Sequence, residues 1–155
     1  MSGSPPSATP NPRGHSHLDL LLSRHQHTLR VLFWLYAALL FTATHWPALE
    51  PNIKFIDRPD LIIHFGCFGS WYIAFWLAAW VGPPLRPRSV ALCIPIAILY
   101  AGFDEGLQAI PFVRRHCAWD DFFANCGGIL LASTLALTIT LLSRRASSAA
   151  KRIAP

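Results

Sequence analysis

The feature that most constrains this chain is a series of four long apolar segments separated by short polar ones. Each is close to the roughly 20 residues that an α-helix needs to cross the hydrocarbon core of a bilayer. Only 14% of the residues are Asp, Glu, Lys or Arg, whereas a soluble domain carries about 25%. We therefore predict an all-α integral membrane bundle of four transmembrane helices, at residues 29–46, 61–81, 90–110 and 119–142.

The basic residues predict how the bundle is oriented. Nine of the 13 Lys and Arg residues lie in the N-terminal tail, the loop after the second helix and the C-terminal tail. The positive-inside rule then places both termini in the cytoplasm and loops 47–60 and 111–118 outside. We expect a multi-pass protein of the inner (plasma) membrane. Its predicted parts are a disordered or interfacial tail at 1–27, a transmembrane domain at 28–143 and a basic cytoplasmic tail at 144–155.

The remaining composition excludes several classes of site. Nucleic-acid binding would need Lys and Arg gathered on a soluble face, and here they flank apolar segments instead. The four cysteines contain no CxxC pair, so the sequence has no zinc spacing and no disulfide framework. The H-x-H pairs of the N-terminal tail are more typical of a solvated tail than of a metal site. No metal and no cofactor is predicted.

Several ionisable and amide side chains lie within the apolar segments, where buried charge is expensive. Many are three or four residues apart, a spacing that places them on one helix face. Spacing to Asn125 favours Asp121 over Asp120 as the inward-facing residue. The predicted topology brings all of them to the outer half of the membrane, in one outward-facing polar pocket with Arg115 above an acidic floor. The predicted ligand-binding residues are Asp60, His64, Asp104, Glu105, Gln108, Arg115, Asp121 and Asn125, with Thr42, Thr44 and His45 as a possible wall.

Simpler structural explanations exist for the same residues. Asp60 is a good helix N-cap, and Arg115 in a loop can be a solvated charge. Gly127 and Gly128 favour close helix packing. The whole set can also pair only with itself and lock the bundle, although buried ion pairs are not reliably stabilising.

The order of these residues resembles the VanZ-like family of small membrane proteins. That family has Asp-Lys-x-x-His opening one helix, Asp-Glu-x-x-Gln closing another, and then Arg, Asp, Asn and Gly. The resemblance covers about residues 30–142, with Leu61 in place of the family's Lys and Arg58 as a possible substitute for its charge. It implies the fold class, a role in the cell envelope and a link to glycopeptide (teicoplanin) resistance, but no established reaction. The matching residues are Asp60, His64, Asp104, Glu105, Gln108, Arg115, Asp121, Asn125 and Gly128.

The first functional hypothesis is binding of a polar headgroup, either of a membrane lipid or of a lipid-linked cell-envelope precursor. Arg115 would contact phosphate or carboxylate as a planar fork. Gln108, Asp121 and Asn125 would hydrogen-bond the sugar or peptide part.

The alternative is an intramembrane enzyme acting on a lipid-linked substrate. The catalytic candidates are then Asp60 and His64 as an acid–base pair, with Asp104 or Glu105 as a second carboxylate. A hard cation such as Mg²⁺ would assist by bridging carboxylates. A proton or ion pathway ranks below both, because the ionisable residues lie only in the outer half of the membrane.

Overall fold

The computed structural model describes residues 17–46, 58–108 and 119–153, and these residues contain five α-helices and no β-strand. Four of the helices are long and apolar enough to cross a membrane. The predicted all-helical class and the presence of four helices able to span a membrane are therefore confirmed. The helices are α1 (His17–Arg24), α2 (Gln26–His45), α3 (Pro59–Leu77), α4 (Pro87–Gln108) and α5 (Trp119–Ile153).

The helix ends differ from the prediction for physical reasons. α3 ends at Leu77 rather than at residue 81, because Ala79 adopts a left-handed φ of 51° that an α-helix cannot continue. α4 passes through Pro95 as one helix. α5 continues past residue 142 to Ile153, so most of the predicted basic tail is helical. The 35 residues of α5 span about 52 Å, and since the hydrocarbon core is about 30 Å thick, part of α5 extends beyond it.

Helix α3 occupies the centre of the bundle and packs against α2, α4 and α5. Its buried face is mostly aromatic. Trp71 stacks on Tyr100 of α4 with ring centroids 4.6 Å apart, and Phe33 of α2 meets Trp71 edge-on at 5.4 Å. The Tyr72 hydroxyl donates to the carbonyl oxygen of Val90 at 2.9 Å. These rings and this bond fix the rotation of α3 relative to its neighbours.

Glycines bring α3 and α5 into backbone contact. A Cβ placed on Gly128 would overlap the carbonyl oxygen of Phe65, and one placed on Gly69 would lie 3.0 Å from the carbonyl oxygen of Gly128. Position 128 therefore requires glycine because no side chain fits between the two backbones, and not because of an unusual φ. The predicted packing role of this glycine is confirmed.

The end of α3 that is remote from the predicted polar site is tied to the start of α2. Gln26 Nε2 donates to the carbonyl oxygen of Ala78 at 2.5 Å, and Arg30 Nε donates to the same oxygen at 3.2 Å. The Arg30 guanidinium also lies over the Trp80 ring, 4.6 Å from its centroid. Side chains of α2 thus satisfy a carbonyl that the end of α3 leaves without a helical donor.

The outward faces of the spanning helices are strongly apolar. Leu99, Leu39 and Trp34 are each more than 60% exposed, as members of a long series of exposed Leu, Ile, Phe and Trp side chains. Soluble monomers rarely expose contiguous apolar patches of more than a few hundred Å². The surface is suited to lipid rather than to water.

Substitution of Gly128 by Ala will separate α3 from α5. We expect a loss of about 1–3 kcal/mol in the free energy of unfolding, the usual effect of forcing a methyl group into a close-packed contact. Unfolding in mixed detergent micelles measures it. Gly66→Ala is the matched control, since a Cβ there meets nothing within 4 Å. Equal stability of the two variants would contradict the close contact.

Substitution of Ala79 by Gly will stabilise the protein. The left-handed conformation of a non-glycine residue costs roughly 1–2 kcal/mol, and glycine removes most of that cost at φ 51°. Ala78→Gly is the control, because Ala78 has right-handed helical angles and should lose stability. A thermal-unfolding midpoint that falls in Ala79→Gly would contradict the assignment.

Candidate functional site

The polar residues converge at one end of the bundle. The C-terminal ends of α2 and α4 and the N-terminal ends of α3 and α5 meet there. We call the residues that gather at this end the polar cluster. Most of its side chains are buried, and those of Asp104 and Asn125 have no exposed surface. The polar cluster consists of Thr44, His45, His64, Asp104, Glu105, Gln108, Asp121 and Asn125.

One half of the polar cluster joins α2 to α4 through the carboxylate of Asp104. Thr44 donates its hydroxyl hydrogen to Asp104 Oδ1 at 3.1 Å, and Gln108 Nε2 donates to Oδ2 at 3.1 Å. His45 Nδ1 lies 3.8 Å from Oδ1. Both oxygens of a buried carboxylate thus have donors from this chain, which is what burial of such a group requires.

His45 Nδ1 has two polar neighbours, the carbonyl oxygen of Phe41 at 2.9 Å and the Thr44 hydroxyl oxygen at 3.0 Å. A carbonyl only accepts, so the bond to Phe41 belongs to the tautomer with hydrogen on Nδ1. In the neutral ring the other nitrogen, Nε2, is then an acceptor. Nε2 is buried and has no hydrogen-bond partner among the described residues.

The other half of the polar cluster joins α3, α4 and α5 through Asn125. Asn125 Nδ2 donates to Glu105 Oε1 at 3.1 Å, which leaves Asn125 Oδ1 to accept from His64 Nδ1 at 3.1 Å. His64 Nε2 lies 3.9 Å from Asp121 Oδ2, beyond hydrogen-bond length. The Oδ1 atom of Asp121 is buried without a hydrogen-bond partner in the part of the chain that the structure describes.

Three exposed charges form a rim above the polar cluster. Arg58, just before α3, donates to Asp60 at 3.0 Å and to Asp120 of α5 at 2.5 Å. The hydrogen bonds to Asp60 and then Asp120 raise the pKa of Arg58 above its ordinary value. Arg58 therefore places a cation beside Asp60.

The structure brings together most of the predicted site residues, with some changes of partner. Asp60 is paired with Arg58 instead of with His64, whose carboxylate neighbours are Glu105 and Asp121. Asp121 turns inward, as the spacing to Asn125 predicts, whereas the side chain of Asp120 is 47% exposed.

Of the predicted site residues, Asp60 lies at the rim with Arg58 and Thr42 lies outside the polar cluster. Thr42 is exposed and donates to the carbonyl oxygen of Ala38 in its own helix, so it is not part of the wall and that expectation is wrong. Arg115 lies outside the described residues. Its predicted place above the acidic residues stays a prediction.

Sequence reasoning missed the division of the polar cluster into two networks. The sequence did contain a sign of this division, because Asp104 and Glu105 are consecutive residues. Consecutive side chains of an α-helix point about 100° apart, so the two carboxyl groups contact different neighbouring helices. It also missed the link from Arg58 to Asp120, which joins residues 62 positions apart in the chain.

The polar cluster holds more acidic groups than basic ones. Three carboxyl groups, those of Asp104, Glu105 and Asp121, face two imidazoles. The cluster can therefore take up a proton, a cation or the hydrogen-bond donors of a ligand. No group of three or more His, Cys, Asp and Glu placed to hold a metal ion occurs among residues 17–46, 58–108 and 119–153.

Comparison of the chain with protein-family models, curated proteins and solved structures gives no significant match.

Replacement of Asn125 by Leu will destabilise the bundle. It removes the donor to Glu105 and the acceptor of His64, and the loss of a buried partner costs about 1–3 kcal/mol per group left behind. Thr138→Val is the control, because the hydroxyl of Thr138 is exposed and bonds only a carbonyl oxygen of its own helix. Detergent unfolding measures both variants, and an equal change in the two would contradict the bridging role of Asn125.

Proposed function

We propose that this protein is a VanZ-like membrane protein of the cell envelope that binds the polar headgroup of a lipid or lipid-linked molecule in the polar cluster. The observation that carries the proposal is that two buried atoms, Asp121 Oδ1 and His45 Nε2, lack hydrogen-bond partners in the described chain. Asp121 Oδ1 is an acceptor, and His45 Nε2 is one in the tautomer with hydrogen on Nδ1. Acceptors in this state call for donors from a bound molecule.

The cost of the polar cluster supports a functional reason for it. Ionisable groups within a membrane span are expensive, and well-packed apolar residues stabilise a core as well as buried ion pairs do. A purely structural network would also have little use for an acidic excess. The cluster is better explained by a ligand than by helix packing alone.

The same acceptors define the chemistry of the ligand. Carboxylate oxygens and a neutral imidazole nitrogen accept hydrogen bonds, so the headgroup must offer O–H or N–H groups, as sugars, glycerol and primary amines do. Arg115 remains the predicted contact for a phosphate. No resident metal or cofactor is part of the proposal.

The orientation of the protein follows from charge. The extension of α5 carries Arg144, Arg145 and Arg152, at the end of the bundle opposite the polar cluster. By the positive-inside rule this end is cytoplasmic, which places the polar cluster at the outer face of the plasma membrane with both termini inside. The link to glycopeptide resistance rests on the family resemblance alone.

A second candidate function is acid–base catalysis on a lipid-linked substrate. The bond from His64 Nδ1 to Asn125 leaves Nε2 of the neutral ring as a base, 3.9 Å from Asp121. A histidine with one nitrogen held and the other free for proton transfer is the usual arrangement of a general base. The catalytic candidates on this reading are His64 with Asp121 and Glu105, whereas Asp60 is engaged by Arg58.

Native mass spectrometry of the protein released from native membranes will test the binding function. We expect a co-purified lipid on the wild-type protein and at least tenfold less of it on Asp121→Asn, which replaces an acceptor oxygen of the polar cluster by an amide nitrogen. Asp120→Asn is the matched control, since it makes the same substitution in the preceding residue, which faces Arg58 at the rim. Asp120→Asn should keep the lipid.

Equal lipid occupancy in the wild type, Asp121→Asn and Asp120→Asn would contradict headgroup binding in the polar cluster. Thermal unfolding of each variant shows whether a lost lipid reflects a lost fold. Turnover of the retained lipid by the wild type, abolished in His64→Gln, would favour the enzyme instead.

A further inference from the structure

An aromatic groove runs along the gap between α2 and α4, with α3 as its floor. It has a volume of about 560 Å³ and almost entirely apolar walls. Trp80 lies at the inner end, and Phe41 and Tyr100 lie at the outer end, nearest the polar cluster. From Phe33 to Phe41 the groove follows α2 for about 12 Å, close to the roughly 15 Å of hydrocarbon in one leaflet.

The outer end of this groove leads directly to the Asp104 half of the polar cluster. The Phe41 ring stacks on the His45 ring, with centroids 4.2 Å apart. Tyr100 precedes Asp104 by one helical turn on α4. The buried atom His45 Nε2, which lacks a hydrogen-bond partner among the described residues, belongs to the ring that stacks on Phe41.

We propose that the α2–α4 groove holds the hydrocarbon chain of the ligand, and that the ligand is a membrane lipid whose headgroup carries N–H or O–H donors. The inference rests on the proposed headgroup binding and specifies its substrate class. A lipid in this position places its tail among the aromatic rings and its headgroup beside His45 and Asp104. The ligand thus reaches the polar cluster sideways from the outer leaflet rather than from the aqueous phase.

A second apolar groove provides an internal comparison. It lies on the opposite face of α3, between α2 and α5, and its walls include Ser70, Ala74 and Leu131. His64, the residue of α3 that belongs to the polar cluster, is not among the walls of this groove. Bulk lipid will fill both grooves alike, whereas a specific ligand will prefer the α2–α4 groove.

Photolabelling in vesicles will test the proposal. The full-length protein is reconstituted in phosphatidylethanolamine and phosphatidylglycerol with a trace of a lipid that carries a diazirine at the end of one acyl chain. One probe is phosphatidylethanolamine, which has N–H donors, and the other is phosphatidylcholine, which has none. Peptide mapping after irradiation reports which groove each tail occupies.

We expect the phosphatidylethanolamine probe to label the α2–α4 groove several-fold more than the phosphatidylcholine probe does. The preference should disappear in Asp104→Asn and in Ala38→Phe, which fills the groove. Ala74→Phe fills the other groove and should leave the preference intact. Both probes should label the groove near Leu131 equally in every variant.

Equal labelling of the α2–α4 groove by the two probes, or a preference that survives Ala38→Phe, would overturn the proposal. A preference that survives Asp104→Asn would separate the groove from the polar cluster and also overturn it. The failure of headgroup binding is distinguishable, because that function is judged by the lipid retained by Asp121→Asn and not by the position of the tail. Loss of lipid in Asp121→Asn with unselective tail labelling would keep the headgroup site and exclude the groove.

Discussion

The interior of a bilayer offers no water to a polar group, and the arrangement of this bundle depends on that constraint. Every hydrogen bond that a buried carboxylate, amide or imidazole needs must come from another part of the chain or from a ligand. The Asp104 carboxyl group accepts hydrogen bonds from Thr44 of α2 and from Gln108 of its own helix. The Asn125 amide donates to Glu105 and accepts from His64. Polar bonds between helices are thus concentrated at this end, and aromatic packing and the glycine contact hold much of the rest.

The glycine contact between α3 and α5 sets the dimensions of the polar cluster. Gly128 lies about one turn beyond Asn125, and Phe65, whose carbonyl oxygen faces Gly128, directly follows His64. Backbones this close let two short side chains meet at 3.1 Å. A larger residue at position 128 would widen the gap that the His64–Asn125 bond spans. Packing and chemistry are therefore linked at this pair of helices, although the glycine touches none of the polar atoms.

The sequence predicts the spanning helices and the membership of the polar cluster well, because both follow from local rules. A run of apolar residues can be recognised from the sequence alone, and residues four apart lie on the same face of any helix. Which side chains pair with each other is harder to predict, because it depends on how the helices are rotated relative to one another. Asp60 shares a face with His64, yet it pairs with Arg58, whose long side chain also reaches Asp120. The length of α5 beyond residue 142 could not be predicted from hydropathy, because the apolar run ends at Ser143 and Arg144 while the helix continues.

The adjacency of Asp104 and Glu105 has a mechanical consequence. One residue bonds α2 and the other bonds α5, so α4 is held from two sides at a single level of the membrane. A rotation of α4 about its own axis would disturb the bonds to both neighbouring helices, so the two networks together resist that rotation.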